Sequence, residues 1–333
     1  MQIREQVMKV VSYTNNMKSM WDNFIEKESR NGFIFHKMHF LEYHKNRFQD
    51  CSLLFLDEKE NIIALFPAAL KNNNIISHPG SSYGGLVLKK YIKLSEIFEI
   101  VELMKNFYNN NFGNINIEII LSESFNLEYG AEDVAFVLWQ LGFNLKSKEI
   151  STVIDINKFR LRLGLRRTTK QYLCSKSYLR LRITYEKVIE KSDILGCYKL
   201  IEQNLASKYK KKPTHTMEEL FELIDRFPQD IDVFAAKRDD EVISTYIMFR
   251  LNDFIVHTFY IAKSLEKENV VDIGLVDFMT NFYFEKGFNF LNFGISSRDK
   301  VVKWGIHTYK EQFSKFFVTR DKWILNAKGD CNG

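Results

Sequence analysis

Residues 51–79 read CSLLFLDEKENIIALFPAALKNNNIISHP, and residues 231–262 read IDVFAAKRDDEVISTYIMFRLNDFIVHTFYIA. Each stretch consists of an apolar run, a charged turn, a second apolar run, a polar turn and a third run with a histidine near its end. Short apolar runs separated by turn residues are typical of antiparallel strands. Because the pattern occurs twice, we predict a duplicated unit whose functional site lies at or near the junction of the two copies.

Each copy continues with a helical stretch, a Gly-Phe pair and a strand. The two continuations are VAFVLWQLGFNLKSKEISTVIDI at 134–156 and VDFMTNFYFEKGFNFLNFGIS at 276–296. Hairpins that precede a helix differ from the strict alternation of a dinucleotide-binding fold, and no G-x-G-x-x-G follows a strand. We therefore predict an α/β fold of the α+β kind with mixed sheets. Its two domains would span 1–157 and 158–333, and the second would open with a basic connecting segment.

Several elements can be predicted from local signals. Thr216 and Glu219 form a capping box ahead of a helix that Pro228 ends, and a longer helix begins at Ser95. Shorter helices are expected at 20–28 and 40–48. Runs of β-branched and aromatic residues predict strands at 53–55, 62–70, 116–121, 153–156, 233–236, 242–249, 254–260 and 290–293.

Composition limits the class of protein. The chain has 333 residues and 45% hydrophobic content, which is enough for two cores. Its longest apolar run, residues 62–70, contains Pro67 and is far shorter than a membrane span. The first residues, MQIREQVMKVVSYTNN, are too charged for a signal peptide. We therefore expect a cytoplasmic protein without a membrane span.

The cysteines and histidines show no metal-site pattern. The four cysteines, at positions 51, 174, 197 and 331, are far apart and form no Cys-x-x-Cys. None of the seven histidines stands at a ligand spacing from them. Neither a disulfide framework nor a zinc site is indicated, so we expect reduced thiols and no metal.

A glycine-rich loop follows the third run of the first copy. Residues 77–85 read SHPGSSYGG, in which glycines allow sharp turns and let backbone N–H groups approach a phosphate or carboxylate. The loop is either a ligand site or a plain connector between strands. As a ligand site it would contribute the polar groups of His78, Ser81, Ser82, Tyr83 and Gly84, with Tyr83 exposed for stacking on a sugar or base.

The excess positive charge lies in one segment. Residues 158–185 contain nine Lys or Arg and no Asp or Glu, whereas the whole chain has a net charge of only +5. Arg166 and Arg167 are the candidates here for binding the phosphate of an anionic substrate or of tRNA. A solvated basic face is the alternative. A second basic patch, KYKKKPTH, occupies residues 208–215.

Five segments together resemble a known family. They are SHPGSSYGGL at 77–86, KKPTHTMEEL at 211–220, YIAKS at 260–264, KGFNFLNFGIS at 286–296 and TYKEQF at 308–313. They resemble the tandem GNAT-like folds of Fem-type aminoacyl- and acyltransferases, and the resemblance covers most of the chain. It implies an acyl donor and an amine acceptor held in a cleft formed chiefly between two domains, often for cell-envelope precursors or surface glycans.

One departure concerns the donor. Ordinary GNAT enzymes bind the CoA pyrophosphate with a glycine-rich loop at a helix N-terminus, but residues 264–278, SLEKENVVDIGLVDF, contain only Gly274. Lys263 or Lys267 and the remaining N–H groups could still bind phosphate. An acyl-CoA co-substrate therefore remains the expectation.

The resemblance also suggests roles at the C-terminal end. Acyl transfer to an amine needs a group that removes a proton and donors for the oxyanion. Lys310 would stabilise the oxyanion or hold a phosphate, and Tyr260, Tyr309 or His257 would move protons. The alternative for His257, and the more common role of such a residue, is a hydrogen-bonded strand histidine. His215, Ser296 and Tyr309, in three of the matching motifs, would contact substrate. We expect Tyr83 and Lys310 to flank one cleft and neither to be part of a core.

The interpretation of the sequence is an N-acyltransferase. It would move an acyl group from an acyl-CoA-type thioester to the amine of a nucleotide-linked amino sugar in surface-glycan biosynthesis. Its partners would be a small-molecule acyl donor and an anionic amine acceptor. One alternative is a Fem-type transferase that uses aminoacyl-tRNA and a peptidoglycan precursor. Another is a non-enzymatic nucleic-acid-binding module built on the basic segment.

Overall fold

The computed structural model describes residues 8–42, 47–159, 182–264 and 269–327. The chain divides into two compact units. Unit 1 comprises residues 1–150, 297–301 and 318–333, and unit 2 comprises 151–296 and 302–317. Unit 1 therefore includes the described residues 318–327, which the expected domains 1–157 and 158–333 assign to the second domain.

The strands are short in unit 1 and longer in unit 2. In chain order they are β1 (Lys9–Ser12), β2 (Gln49–Asp50), β3 (Leu53–Leu56), β4 (Ile62–Phe66), β5 (Ala69–Lys71), β6 (Asn74–Ile76), β7 (Val87–Leu88), β8 (Asn116–Ile120), β9 (Asn144–Asp155), β10 (Ile183–Val188), β11 (Ile231–Arg238), β12 (Glu241–Arg250), β13 (Ile255–Lys263), β14 (Phe290–Ile295), β15 (Ser297–Arg298), β16 (Val301–Val302) and β17 (Phe316–Leu325).

The helices whose bounds lie in the described residues divide between the two units. Those of unit 1 are α1 (Lys18–Asn23), α2 (Met38–Leu41), α3 (Leu94–Phe112) and α4 (Glu132–Gln140). Those of unit 2 are α5 (Lys191–Tyr209), α6 (Met217–Arg226), α7 (Asn269–Glu285) and α8 (Trp304–Glu311). Short 3-10 turns lie at Asn15–Met17, Ile34–His36 and Ser124–Asn126, and a π-helical turn lies at Phe24–Glu28.

Unit 1 contains an antiparallel sheet of β1, β3, β4 and β7 in that order. A second group of strands runs β17, β8, β6, β5 and β2, in which β17 contributes its C-terminal residues to an antiparallel pair with β8. Strands β6 and β8 pair in parallel over three residue pairs, Asn74 with Asn116 through Ile76 with Glu118. Helix α3 packs Ile97, Ile100, Val101 and Met104 into the core of this unit.

Unit 2 repeats this arrangement around a longer sheet. Its strands run β10, β11, β12, β13, β14 and then the C-terminal residues of β9. Strands β13 and β14 are parallel, and the other pairs are antiparallel. Helix α7 provides the apolar side chains of Leu275, Val276 and Met279 to the core. In both units a long helix thus connects two parallel strands, which fits the predicted duplication.

Most local predictions are confirmed. Thr216 and Glu219 form the capping box of α6, since each side chain accepts the backbone N–H of the other residue at 3.3 and 2.8 Å. The single strand expected at 62–70 is wrong, because Pro67 separates β4 from β5 and the two strands belong to different sheets. Proline has no N–H for a strand ladder, so the break occurs there.

The helix predicted at 20–28 is confirmed, although it begins at Lys18 and its second half, Phe24–Glu28, is a π-helical turn. Helix α2 spans Met38–Leu41, so it begins before the predicted start at residue 40, and residues 43–46 of that prediction lie outside the described residues. No helix in the described part of the chain is long and apolar enough to cross a bilayer.

Candidate functional site

The parallel strands β13 and β14 of unit 2 stay paired for only a short distance. The three pairs run from Ile255 with Phe290 to His257 with Asn292. Beyond His257, β13 continues in register with β12, but Phe259 has no partner there because Ile247 pairs with Tyr260 and Met248 with Thr258. Such a bulge bends its strand. Beyond His257 and Asn292, the backbone N–H and C=O groups that face the neighbouring strand are therefore no longer paired between β13 and β14 and can bind other groups.

Gly294 shapes the corresponding end of β14. Its φ of +72° lies in the left-handed region, and its N–H donates to Asn292 Oδ1 at 2.8 Å. A Cβ added at this position would lie 3.1 Å from His257 Cε1. A side chain would thus be strained and would press on the buried imidazole, so both backbone and packing require glycine here.

Lys310 of α8 binds the end of the same strand. Its side chain is buried, and Nζ donates to the carbonyl oxygens of Gly294 and Ile295, each at 2.8 Å. The expectation that Lys310 lies outside the core is wrong, since only 4% of it is exposed. A buried ammonium needs such acceptors, because an uncompensated charge in a core is costly.

Two buried hydroxyl groups follow His257 and Ile295 in the chain. Thr258 directly follows the last β13–β14 pair, and Ser296 directly follows β14. Within the described residues, neither Thr258 Oγ1 nor Ser296 Oγ has a hydrogen-bond partner, although both residues are buried. Buried hydroxyls without partners are uncommon, so these groups are candidates for binding a ligand.

Tyr260 is hydrogen-bonded to the segment before α6. Its hydroxyl oxygen accepts the backbone N–H groups of Thr214 at 3.0 Å and His215 at 3.2 Å, and His215 Nδ1 lies 3.1 Å away. Burial raises the pKa of Tyr260, and these N–H donors oppose the increase. The structure thus brings together two of the predicted residues, Tyr260 and His215.

Tyr309 belongs to a separate buried network. Its hydroxyl is hydrogen-bonded to that of Tyr246, and the carboxylate of Asp272 accepts Ser244 Oγ at 2.8 Å and pairs with Lys263 Nζ at 2.9 Å. Burial, followed by the charge of Asp272, raises the pKa of Tyr309 well above its ordinary value. Tyr309 therefore stays protonated near pH 7, and its hydroxyl can donate a hydrogen bond.

The glycine-rich loop of unit 1 is held tightly against β8. Ser77 N donates to Glu118 O at 2.8 Å, Ile120 N donates to Ser77 Oγ at 2.8 Å, and Gly84 N donates to Ile120 O at 3.2 Å. A Cβ at Gly84 would lie 2.2 Å from Ser77 O. His78 has a φ of +42° and is buried. Close backbone contact within the protein therefore accounts for Gly84.

Tyr83 is not exposed as predicted. It is 1% exposed, accepts Asn126 Nδ2 at 3.2 Å, and lies below the Arg320 guanidinium, whose carbon is 5.7 Å from the ring centroid. Burial, together with the charge of Glu123, raises the pKa of Tyr83 well above its ordinary value. Its ring cannot stack on a ligand in this arrangement, since protein atoms cover it.

The serines of the loop are more accessible than Tyr83. Ser81 and Ser82 are half-buried. Ser81 Oγ lies 3.5 Å from Phe35 O, and the Ser82 carbonyl accepts Arg320 Nη1 at 2.7 Å.

The predicted site residues thus fall into groups. His257, Ser296 and Lys310 lie around Gly294, Tyr260 pairs with His215, and Tyr309 lies in the Asp272 network. His78, Ser81, Ser82, Tyr83 and Gly84 are in unit 1, whereas Arg166 and Arg167 lie outside the described residues. Thr258 and Asp272 were missed, because a threonine in a strand and an acid on a helix give no signal in the sequence.

The described cysteines are not reactive nucleophiles. Burial raises the pKa of both Cys51 and Cys197 to about 11, and both are free thiols. The thiolate is the reactive form, so these thiols are inert near neutral pH. No group of three or more metal-ligating side chains occurs in the part of the chain that the structure describes.

Comparisons with known proteins establish the fold. No family model matches the sequence, and no curated protein matches it. Among solved structures, FemX is 12% identical and aligns over 96% of this chain and 97% of its own, with a TM-score of 0.67. L-PGS from Bacillus licheniformis is 12% identical over 93% and 91% of the two chains, with a TM-score of 0.62.

A tandem GNAT protein from the clavulanic acid biosynthesis pathway is also similar. It is 8% identical over 97% of this chain and 100% of its own, with a TM-score of 0.52. The chain therefore has a Fem-type, tandem GNAT-like fold.

Proposed function

We propose that this protein is an N-acyltransferase that acts at the end of the β13–β14 pairing in unit 2. It would transfer an acyl group from an acyl-CoA-type thioester to the amine of a nucleotide-linked amino sugar in surface-glycan biosynthesis. The observation that supports this most is the pair of buried hydroxyls without partners, Thr258 and Ser296, beside a strand end bound by Lys310. The fold similarity to a tandem GNAT protein agrees with it.

The reaction needs little covalent chemistry from the protein. The amine nitrogen attacks the thioester carbonyl, a C–N bond forms, the C–S bond breaks, and a proton passes from the amine to the departing thiolate. Such transfers depend on positioning and on donors aimed at the developing oxyanion. Thr258 and Ser296 would supply hydroxyl donors. His257, buried against Gly294, would accept the proton of the amine.

Lys310 would act as a positioning residue. Its ammonium is bound to two backbone carbonyls, so it would hold the Gly294–Ile295 segment in place. Tyr260 would hold the 214–215 backbone, and Tyr309 would stay protonated within the Asp272 network. No metal would be needed.

A second candidate function is a Fem-type transfer from aminoacyl-tRNA to a peptidoglycan precursor. The full-length similarity to FemX favours it, with a TM-score of 0.67 against 0.52 for the tandem GNAT protein. Both functions share one reaction type and one proposed site, so they differ in the donor and acceptor.

The experiment compares the two donors directly. Purified protein is incubated with acetyl-CoA and UDP-linked amino sugars, or with aminoacyl-tRNA and a nucleotide-linked peptidoglycan precursor, and acylated amines are detected by mass spectrometry. Product from the thioester supports the first function, and product only from aminoacyl-tRNA supports the second. Absence of product from every pairing of these donors and acceptors would count against acyl transfer.

Variants then test the site. Thr258→Val and Ser296→Ala should each lower kcat/KM by about 10²-fold, the usual effect of losing one oxyanion donor. Their stability should be unchanged or higher, because each change removes a buried hydroxyl without a partner. Ser314→Ala in the same unit is the matched control and should retain wild-type kinetics. Wild-type kinetics in both site variants would exclude this location.

A further inference from the structure

Unit 1 has a row of aromatic side chains along α3 and α4. The Tyr91 ring, ahead of α3, lies 6.5 Å from the Tyr129 ring, ahead of α4. Further along, the Phe98 ring of α3 lies 6.4 Å from that of Phe136 on α4, and the Trp139 ring lies 6.1 Å from Phe136. These contacts occur in the same order along both helices, so α3 and α4 run side by side in one direction. This aromatic stripe consists of Tyr91, Leu94, Phe98, Tyr129, Phe136 and Trp139.

Most of the aromatic stripe is exposed to solvent. The exposed fraction is 85% for Tyr91, 59% for Trp139 and 46% for Phe136. Helix α4 also buries Val137 and Leu138 in the core of unit 1, so it carries large apolar side chains on opposite sides. A helix that is apolar all round is ordinarily covered on every side. A contiguous exposed apolar patch of this kind marks an interaction surface.

Charged side chains of opposite sign lie at the two ends of the stripe on α3. Lys93 precedes Phe98 by five residues and Glu102 follows it by four, and both charged residues are exposed. Leu94, Phe98 and Glu102 are spaced by four residues, so they form one row on the helix surface. A second α3 that crosses this helix antiparallel at Phe98 would bring its Glu102 opposite Lys93, and its Lys93 opposite Glu102.

On the α4 side of the stripe the order of charges is reversed. Glu128, next to Tyr129 at the beginning of the stripe, is exposed. At the other end, Lys105 reaches from α3 to the end of α4 and donates to Leu141 O at 2.8 Å. In the same antiparallel arrangement, Glu128 of one copy would face the end of α4 where Lys105 of the other copy lies. The charges around the stripe are therefore complementary to those of a second copy, whereas burial of Glu102 and Glu128 in a lipid surface would cost free energy.

We propose that the aromatic stripe binds the aromatic stripe of a second copy of this chain, with α3 antiparallel to α3 about a twofold axis at Phe98. The contact is isologous, because the same patch is used on both copies. It has an apolar, aromatic centre and a charged rim, as protein interfaces do. None of the stripe residues is assigned to acyl transfer, so the inference does not depend on that reaction.

The test measures self-association of the full chain by analytical ultracentrifugation. The wild type should dimerise, and Trp139→Ser should weaken the dimer by at least about tenfold, since tryptophans at the centre of an interface contribute most of its affinity. Trp304→Ser is the matched control and should associate like the wild type, because Trp304 is also exposed but lies on α8, outside the stripe. Circular dichroism establishes that all variants are folded.

Charge reversal tests the antiparallel arrangement. Lys93→Glu and Glu102→Lys should each weaken the dimer, because like charges then meet twice across the twofold axis. An equimolar mixture of these two variants should associate more tightly than either variant alone, since opposite charges meet at both positions of the mixed dimer.

The proposal is overturned if the wild type stays monomeric up to about 100 μM, or if Trp139→Ser associates as tightly as Trp304→Ser. It is also overturned if the mixture of charge variants associates no better than the separate variants. Flotation with vesicles of phosphatidylcholine and phosphatidylglycerol distinguishes the other occupant of such a surface. A monomer that binds these vesicles, and loses this binding in Trp139→Ser, would assign the stripe to a lipid surface in place of a second copy.

Discussion

Replacing Lys310 by methionine tests how the end of β14 is held. Methionine keeps much of the apolar stem and removes the ammonium. The carbonyls of Gly294 and Ile295 then lose donors that lie at 2.8 Å. An unsatisfied buried acceptor costs roughly 1–3 kcal/mol, and water can partly replace the donor at the less buried Ile295. We expect the free energy of unfolding to fall by about 2–4 kcal/mol.

The assay is equilibrium urea unfolding followed by tryptophan fluorescence. Trp304 is a reporter in the same helix as Lys310, and its exposure of 69% makes it sensitive to local change. Lys315→Met is the matched control, because the Lys315 side chain is 67% exposed and pairs with Glu311 of α8. Such surface pairs contribute little, so its unfolding free energy should change by less than about 0.5 kcal/mol.

The reasoning is refuted if Lys310→Met and Lys315→Met unfold at the same urea concentration as the wild type. If Lys310 acts by donating to the two carbonyl groups, Lys310→Met and Lys310→Ala should lose activity alike, because neither side chain can donate a hydrogen bond. The sequence alone led to the opposite expectation for stability, since a lysine is ordinarily exposed.

Three further predictions concern other sites. Gly294→Ala should lower the free energy of unfolding by about 1–3 kcal/mol in urea titrations, because Gly294 has a positive φ and an added Cβ would lie 3.1 Å from His257. Gly287→Ala is the control and should cost less, since Gly287 also has a positive φ but has open space around it. Equal losses in the two variants would contradict the packing argument. Burial lowers the pKa of His36 to about 4, so the unfolded chain binds more protons between pH 4 and 6.5, and stability should fall by about 3 kcal/mol as the pH drops through this window. A His36→Gln variant with the same pH dependence as the wild type would disprove that. Finally, Cys197, with its pKa raised to about 11, should resist maleimide at pH 8 until urea unfolds the chain, as read by peptide mass mapping.

Local chemistry in the sequence accounts for much of this fold. The two copies of strand, turn and strand were visible at 51–79 and 231–262, because short apolar runs and turn residues act over a few neighbours. The capping box at Thr216 is likewise a contact within one helical turn. The glycine-rich loop at 77–85 was recognised as a tight turn for the same reason.

Other features depend on residues far apart in the chain. No local signal shows that β17 leaves the second half and pairs with β8, because ladder partners are chosen by the whole sheet. Pro67 indicated a break in the strand. It did not indicate that β4 and β5 would belong to different sheets.

In the candidate site too, some features could be predicted from the sequence and others were decided by the tertiary structure. His257 was noticed as a histidine near the end of a repeated apolar run, whereas the motifs containing Ser296 and Lys310 were identified through their resemblance to Fem-type transferases. Tertiary packing decided which of these side chains are buried and hydrogen-bonded. It buried Lys310 against two carbonyl groups and covered Tyr83. It also left the hydroxyls of Thr258 and Ser296 without hydrogen-bond partners among the described residues. Sequence determines which groups are present, but burial and hydrogen bonding across distant segments determine which remain able to bind a ligand.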